Sequence, residues 1–374
     1  MSCRRFNTDV RIISGTYSLE KIPYELSNLG GYRPLILMRS RTSSQKVRLI
    51  KKVFAYAAQE IPAICFIGPE TTEDEIDAVL DAVNKYSCDC MVAIGSGFIQ
   101  SAAKLVNSLH SCRLRIDQRH SLPCKHANLL PSAAVLTEDT DGQEIGGRLQ
   151  IFELDIQYEK LRPDIIVIEP RMLNEVSEAS AACSALITMS QLTQALYEHA
   201  DSPVIRSLLI PSFRLIGDWA GLLHLPRSRF ALVNASIYAQ IIFKNTQQGA
   251  VWSLSSVGDR SGITSRALIT SVLLPPFVRM LITKQSTAVE TIVAGVRILK
   301  SDAPTGSLWE QSAASEQNRL LPDLIDKLIK LSRFTDLPQP IDQLFHQIGH
   351  LVGKRDTTSM KELILHISHE REVQ

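Results

Sequence analysis

Four short apolar runs alternate with helical patterns through the first third of the chain, at Pro34–Met38, Ala63–Ile67, Met91–Ile94 and near Asn128–Ala134. Each is too short to be a buried helix, and the first three are each followed by apolar residues at helical spacing, as at Val47, Ile50, Val53, Phe54 and Ala57. Strands separated by helices cannot pair as hairpins. The pattern therefore predicts a parallel sheet with helices on both faces, binding ligands at the carboxyl ends of its strands. Arg39, Gly95-Ser96-Gly97 and Pro131-Ser132 are expected at those ends.

The run Met91 to Lys104 (MVAIGSGFIQSAAK) is the centre of this half. Strand, small-residue turn and helix aim several backbone N–H groups and a helix N-terminus at one point, which suits a phosphate. Glycines let a pyrophosphate approach the backbone without a Cβ in the way. Gly-Ser-Gly also makes ordinary strand-to-helix turns, and both readings stand. Arg39 and Arg41, after the second strand, can hold a ribose 2′-phosphate or stand in solvent.

Around this core, residues 9–19 read as extended, Lys21–Leu29 as helix, and Thr72-Glu-Asp-Glu75 as a helix cap with an acidic third position. Residues 139–162 read as a loop or hairpin over the cleft, and Ile165–Ile168 as a further strand. Beyond Met172 helical patterns dominate, near 176–200, 203–223, 229–248, 265–283, 287–300, 320–332, 340–353 and 358–370, with a loop over 301–317. The expected fold is an α/β N-terminal Rossmann-like parallel sheet domain, residues 1–172, and an all-α C-terminal helical domain, residues 173–374.

A net charge of +1 gives no general pull towards nucleic acid or anionic membranes. No apolar run approaches the roughly 20 residues of a membrane span, and no apolar signal segment follows Arg4-Arg5. The seven cysteines (Cys3, Cys65, Cys88, Cys90, Cys112, Cys124 and Cys183) are odd in number and irregularly spaced, which fits reduced thiols in the cytoplasm. Cys88-Asp-Cys90 reads as packing. His346 with His350 and His366 with His369 can pair on helix faces but have no carboxylate or cysteine partner in pattern. Glu198-His199 is not read as a dyad, because adjacent helical residues point apart.

Several stretches resemble the iron-containing alcohol dehydrogenases and their metal-independent relatives, the maleylacetate reductases. They are Gly15-Thr-Tyr-Ser-Leu19 with Gly30, Pro69 to Lys104, Pro131 to Glu138, Pro163-Asp164 to Glu169-Pro170, Ser184 to Pro203 and Val272 to Pro275. The resemblance implies a nicotinamide cofactor, a small molecule in an interdomain cleft, and dimerisation through the sheet domain or service as a partner subunit. The expected cofactor contacts are Gly95, Ser96, Gly97, Arg39, Ser132 and Thr137, with the phosphorylated cofactor, NADP, favoured by Arg39.

Metal-using members hold the ion with an Asp, a His four residues on, and two later His. Here the resemblance places Ile187, Gln191, Ser256 and Arg266 at those positions, so no metal is expected. In the nucleotide segment Phe98 replaces a Ser and Ser101 an Asp, while Lys104 remains. A phenyl ring at the turn can occlude phosphate or turn into the core. Trp252 reads as packing the cleft. Two functions follow: a catalytically silent binding or partner subunit, or a metal-independent NADPH-dependent aldehyde, alcohol or maleylacetate-type oxidoreductase. In the second, Arg266 polarises the carbonyl and Gln191 and Ser256 orient it.

Overall fold

The computed structural model describes residues 6, 10–57, 62–68, 70–95, 97–122, 128–173, 176–199, 201–246, 249–260, 265–284, 289–290, 292 and 320–332. The helices expected at 340–353 and 358–370, the loop over 301–317, the four paired histidines, Ser96, Cys3 and Cys124 lie outside these residues. So does almost all of the helix expected at 287–300. The chain divides into two compact units, Thr8–Val176 and Ser177–Gln374, the second together with Met1–Asn7.

The first unit is built on a six-stranded parallel sheet. Its strands are β1 (Arg11–Ser14), β2 (Pro34–Arg39), β3 (Ala63–Ile67), β4 (Cys90–Ile94), β5 (Ser132–Val135) and β8 (Ile165–Ile168), ordered β1-β8-β5-β4-β2-β3. Side chains alternate across it as the period of two requires. Leu35, Leu37, Met91 and Ala93 face one core with helices α3 (Glu73–Lys85) and α4 (Phe98–Cys112). Ile36, Met38, Val92 and Ile94 face the other with α1 (Ile22–Ser27) and α2 (Ser44–Tyr56). Cys88 joins the first core and Cys90 the second, so this pair is packing. The five described cysteines are free thiols.

Thr72 caps α3 with a reciprocal box: Glu75 N donates to Thr72 Oγ1 at 3.4 Å, and Thr72 N donates to Glu75 Oε2 at 2.9 Å. Strand β5 starts later than the apolar run suggested. The Asn107 side chain takes both backbone groups of Leu130, accepting from its N at 2.8 Å and donating to its O at 2.9 Å. Pairing with β4 can begin only after that clamp. Residues 139–162 form a hairpin, β6 (Arg148–Ile151) with β7 (Leu154–Gln157), whose Leu149, Ile151 and Leu154 extend the α4 core.

The second unit is helical in its described residues: α5 (Glu178–His199), α6 (Pro203–Trp219), α7 (Pro226–Lys244), α8 (Ala250–Arg260), α9 (Arg266–Lys284) and α10 (Leu320–Ser332). α5 is buried nearly all round despite its hydroxyls. They bond back into their own helix, Thr188 Oγ1 to Ser184 O and Thr193 Oγ1 to Met189 O, each at 2.8 Å. α8, rich in serine, was not expected from sequence. α9 corrects the expectation that no apolar stretch reaches membrane-span length: it is long and apolar enough, with mean hydropathy 1.4. Yet 67% of that window is buried within the protein, as in a core helix.

Candidate functional site

In the first unit the chain order reverses between β2 and β4: β3 lies outside β2, and the chain then returns to place β4 on its other side. The carboxyl ends of strands flanking such a reversal form a crevice where ligands bind. Arg39 ends β2, and Gly95 to Gly97 link β4 to α4. Gly95 has φ +145°, and a Cβ on it would lie 2.8 Å from Ile99 Cγ1, so no other residue fits there unstrained. Gln100, buried on the first turn of α4, donates to Gly95 O at 2.7 Å and steadies the turn. Phe98 turns inward and packs against the α3–α4 core, which takes the ring off the turn.

The segment after β5 brings carboxylates to this turn. Asp141 Oδ2 lies 3.5 Å from where a Cβ on Gly97 would stand, on the open face that the glycine leaves. Asp139 forms an ion pair with Arg39 and accepts from the Thr137 hydroxyl. Glu144 accepts from Asp141 N at 2.7 Å and holds the loop in shape. Lys104, buried on α4, donates to Gly146 O at 2.8 Å and Arg148 O at 3.0 Å. Burial pulls its ammonium down to about 8, against the opposing pull of the Asp141 and Glu144 charges.

Arg39, Gly95, Gly97 and Thr137 thus share the carboxyl edge. Ser132 does not, which corrects its assignment. It is the first residue of β5, at the amino end of the sheet, and its N–H donates to Asp164 Oδ2. An apolar run does not show where pairing starts, and β5 begins about four residues after the run does. Arg39 stays partly exposed and pairs with Asp139, a partner that no local sequence pattern indicates. Arg41 is exposed. Asp139 and Asp141 carry no signal in the sequence, because their segment has no periodicity.

A cavity of about 400 Å³ lies towards the amino ends of β4 and β5, between α4 and Glu159–Asp164. Lys104, Gln100 and Asn107 line it with their polar groups already bonded elsewhere.

In the helical unit, Ile187 of α5, Trp252 of α8 and Ala267 of α9 pack as one cluster, with Phe243 and Cys183 against it. The Arg266 guanidinium carbon lies 4.7 Å from the centre of the Trp252 ring, and Phe243 touches that indole at 4.8 Å between centroids. Gln191 follows Ile187 by one helical turn, Ser256 follows Trp252, and Thr270 follows Arg266, all buried. Among the described residues, Trp252 Nε1 and Thr270 Oγ1 have no hydrogen-bond partner. Glu198 and His199, expected to diverge, approach to 3.7 Å between Oε2 and Nε2. Burial raises the Glu198 carboxyl, against a hydrogen bond from Gln194 that lowers it.

The family model described as iron-containing alcohol dehydrogenase matches residues 9–170. An alcohol dehydrogenase from Thermococcus barophilus is 22% identical, over 72% of this chain and 74% of its own length. An NAD-dependent methanol dehydrogenase from Bacillus methanolicus is 20% identical, over 65% and 67%. The match lies within the first unit, which is similar to the iron-containing alcohol dehydrogenases. A maleylacetate reductase from a Rhizobium species shares the fold of the family, with a TM-score of 0.70 at 15% identity, covering 98% of each chain.

The family's name implies iron, and the four positions that the resemblance assigns to a metal do not suit one. Ile187 has no lone pair, Gln191 and Ser256 are weak ligands, and Arg266 carries the cation's own charge. Among the described residues no three His, Cys, Asp or Glu gather as a metal site. At the β4–α4 turn, Asp141 lies near Gly97 and Asp139 pairs with Arg39.

Proposed function

We propose that this chain is a divergent member of the iron-containing alcohol dehydrogenase family that does not carry out metal-dependent dehydrogenation and serves as a binding or partner subunit. The observation that carries this reading is the stacking of Arg266 on Trp252 beside Ile187 and Ala267. A divalent ion there meets a fixed positive charge: at about 4 Å and an effective dielectric of about 20, each unit of like charge costs about 4 kcal/mol. No acidic or imidazole ligand among the four positions offsets that. The test is to load the purified protein anaerobically with Fe²⁺ or Zn²⁺, remove unbound metal, and assay aldehyde reduction with NADH and NADPH. Substoichiometric metal and no turnover are expected. Stoichiometric retention, or turnover that depends on the metal, refutes the reading.

A second reading is favoured by the two orphaned donors, Trp252 Nε1 and Thr270 Oγ1. In it the chain is a metal-independent NADPH-dependent reductase of the aldehyde or maleylacetate type. Arg266 stabilises the developing alkoxide, and Gln191 and Ser256 orient the carbonyl. Metal-free reduction by NADPH that disappears in Arg266→Ala selects this reading over the first.

A further inference from the structure

The backbone at the β2–β4 reversal is shaped for an anion, and the chain supplies anions of its own. Gly97 has φ +55° and stands at the N-cap of α4, where it brings no side chain to the first-turn N–H groups, the groups that an anion at a helix N-terminus takes. On that side Asp141 Oδ2 lies 3.5 Å from where a Cβ on Gly97 would stand. Its position is not accidental slack: its own N–H is held by Glu144, and its Oδ1 accepts from Gln143 N at 3.1 Å. Asp139 takes the one arginine that ends β2, and Thr137 donates a further hydrogen bond to it. A nucleotide phosphate entering here would have to displace Asp141 from the turn and Asp139 from Arg39.

We infer that the Thr137–Glu144 segment acts as an internal substitute for phosphate, and that Asp139 and Asp141 exclude dinucleotides from this turn. Asp141 opposes a pyrophosphate there by its charge. Asp139 removes the cation that would otherwise recognise a 2′-phosphate. The exclusion is a property of two side chains on an otherwise competent backbone, so it is reversible by substitution. It rests on the first reading of function and not on the second, which needs NADPH at this turn; it concerns binding alone and stands apart from the metal question in the helical unit.

The experiment measures NADPH and NADH binding by cofactor fluorescence, without metal or aldehyde, on wild type, Asp139→Asn, Asp141→Asn and the double variant. Asp155→Asn, which removes a hairpin carboxylate paired with Arg148, is the charge control. Wild type and control should show no saturable binding at millimolar cofactor. Each neutralisation should tighten NADPH about tenfold, and the pair about a hundredfold, as expected for removing like charges near a phosphate. Adding Arg39→Gln to the double variant should erase the preference for NADPH over NADH. Micromolar binding by wild type overturns the inference. So does a double variant that keeps the wild-type circular dichroism and melting transition yet gains no affinity. If the asparagine variants do not fold, Asp139→Ser with Asp141→Ser is judged by the same two outcomes. Because no turnover is measured, a failure here leaves the metal assay to decide the proposed function separately.

Discussion

Arg39 and Asp139 stand 100 residues apart in sequence and meet as an ion pair at the carboxyl edge of the sheet. Both are partly exposed, so the pair contributes little to stability, about 0–1 kcal/mol. Its consequence is chemical: the cation best placed for a phosphate is already engaged. The helical unit shows the converse, a guanidinium on an indole at a position where the family resemblance expects ligands for a cation.

The Arg266–Trp252 stack should be measurable as stability. Arg266→Ala removes a buried cation–π contact and the stem packed beside it, and should cost about 1–3 kcal/mol in urea unfolding. Thr270→Val should be neutral or stabilising by up to about 1 kcal/mol, because its buried hydroxyl has no partner among the described residues. A clear loss of stability in Thr270→Val would show that the hydroxyl is bonded in solution.

Lys104 links stability to alkaline pH. Its ammonium titrates near 8 in the folded chain, because burial outweighs Asp141 and Glu144, against an ordinary 10.5. Between those values the unfolded chain binds more protons than the folded one, so this group's contribution improves as pH rises through that window. Wild type should therefore gain stability relative to Lys104→Met between about pH 8 and pH 10.5, followed by chemical denaturation at fixed ionic strength. A difference that is flat or falls over that range contradicts the assignment.

Glu169 should act at the acid end. Burial raises its carboxyl, but the Arg171 side chain and the Arg171 and Leu19 N–H groups outweigh that and hold it below its ordinary 4.5. A depressed carboxyl stabilises above the unfolded value and loses that contribution as pH falls through the folded one. Glu169→Gln should cost about 2–3 kcal/mol at neutral pH, and the gap to wild type should close below about pH 4.5.

Gly95→Ala combines a disfavoured backbone angle with a contact 2.8 Å from Ile99, and should destabilise by about 2–4 kcal/mol. Gln100→Leu, which frees the Gly95 carbonyl, should cost about 1–2 kcal/mol. Denaturant midpoints of the two variants give the comparison, and an unchanged midpoint in Gly95→Ala would contradict the strained turn.

The sequence by itself determined the parallel sheet, because short apolar runs separated by helical periodicity leave few other ways to bury both faces. It also determined the Thr72 cap, whose hydrogen bonds close within four residues, and the glycine turn. It could not place the start of β5, which depends on Asn107 clamping Leu130 from another element. Nor could it show Asp139 on Arg39, Asp141 on Gly97, or Arg266 on Trp252. Those contacts join residues from separate elements, and no local pattern carries their distance. Only the tertiary structure decided that the charges at the turn and in the helical unit are already answered by side chains of the same chain.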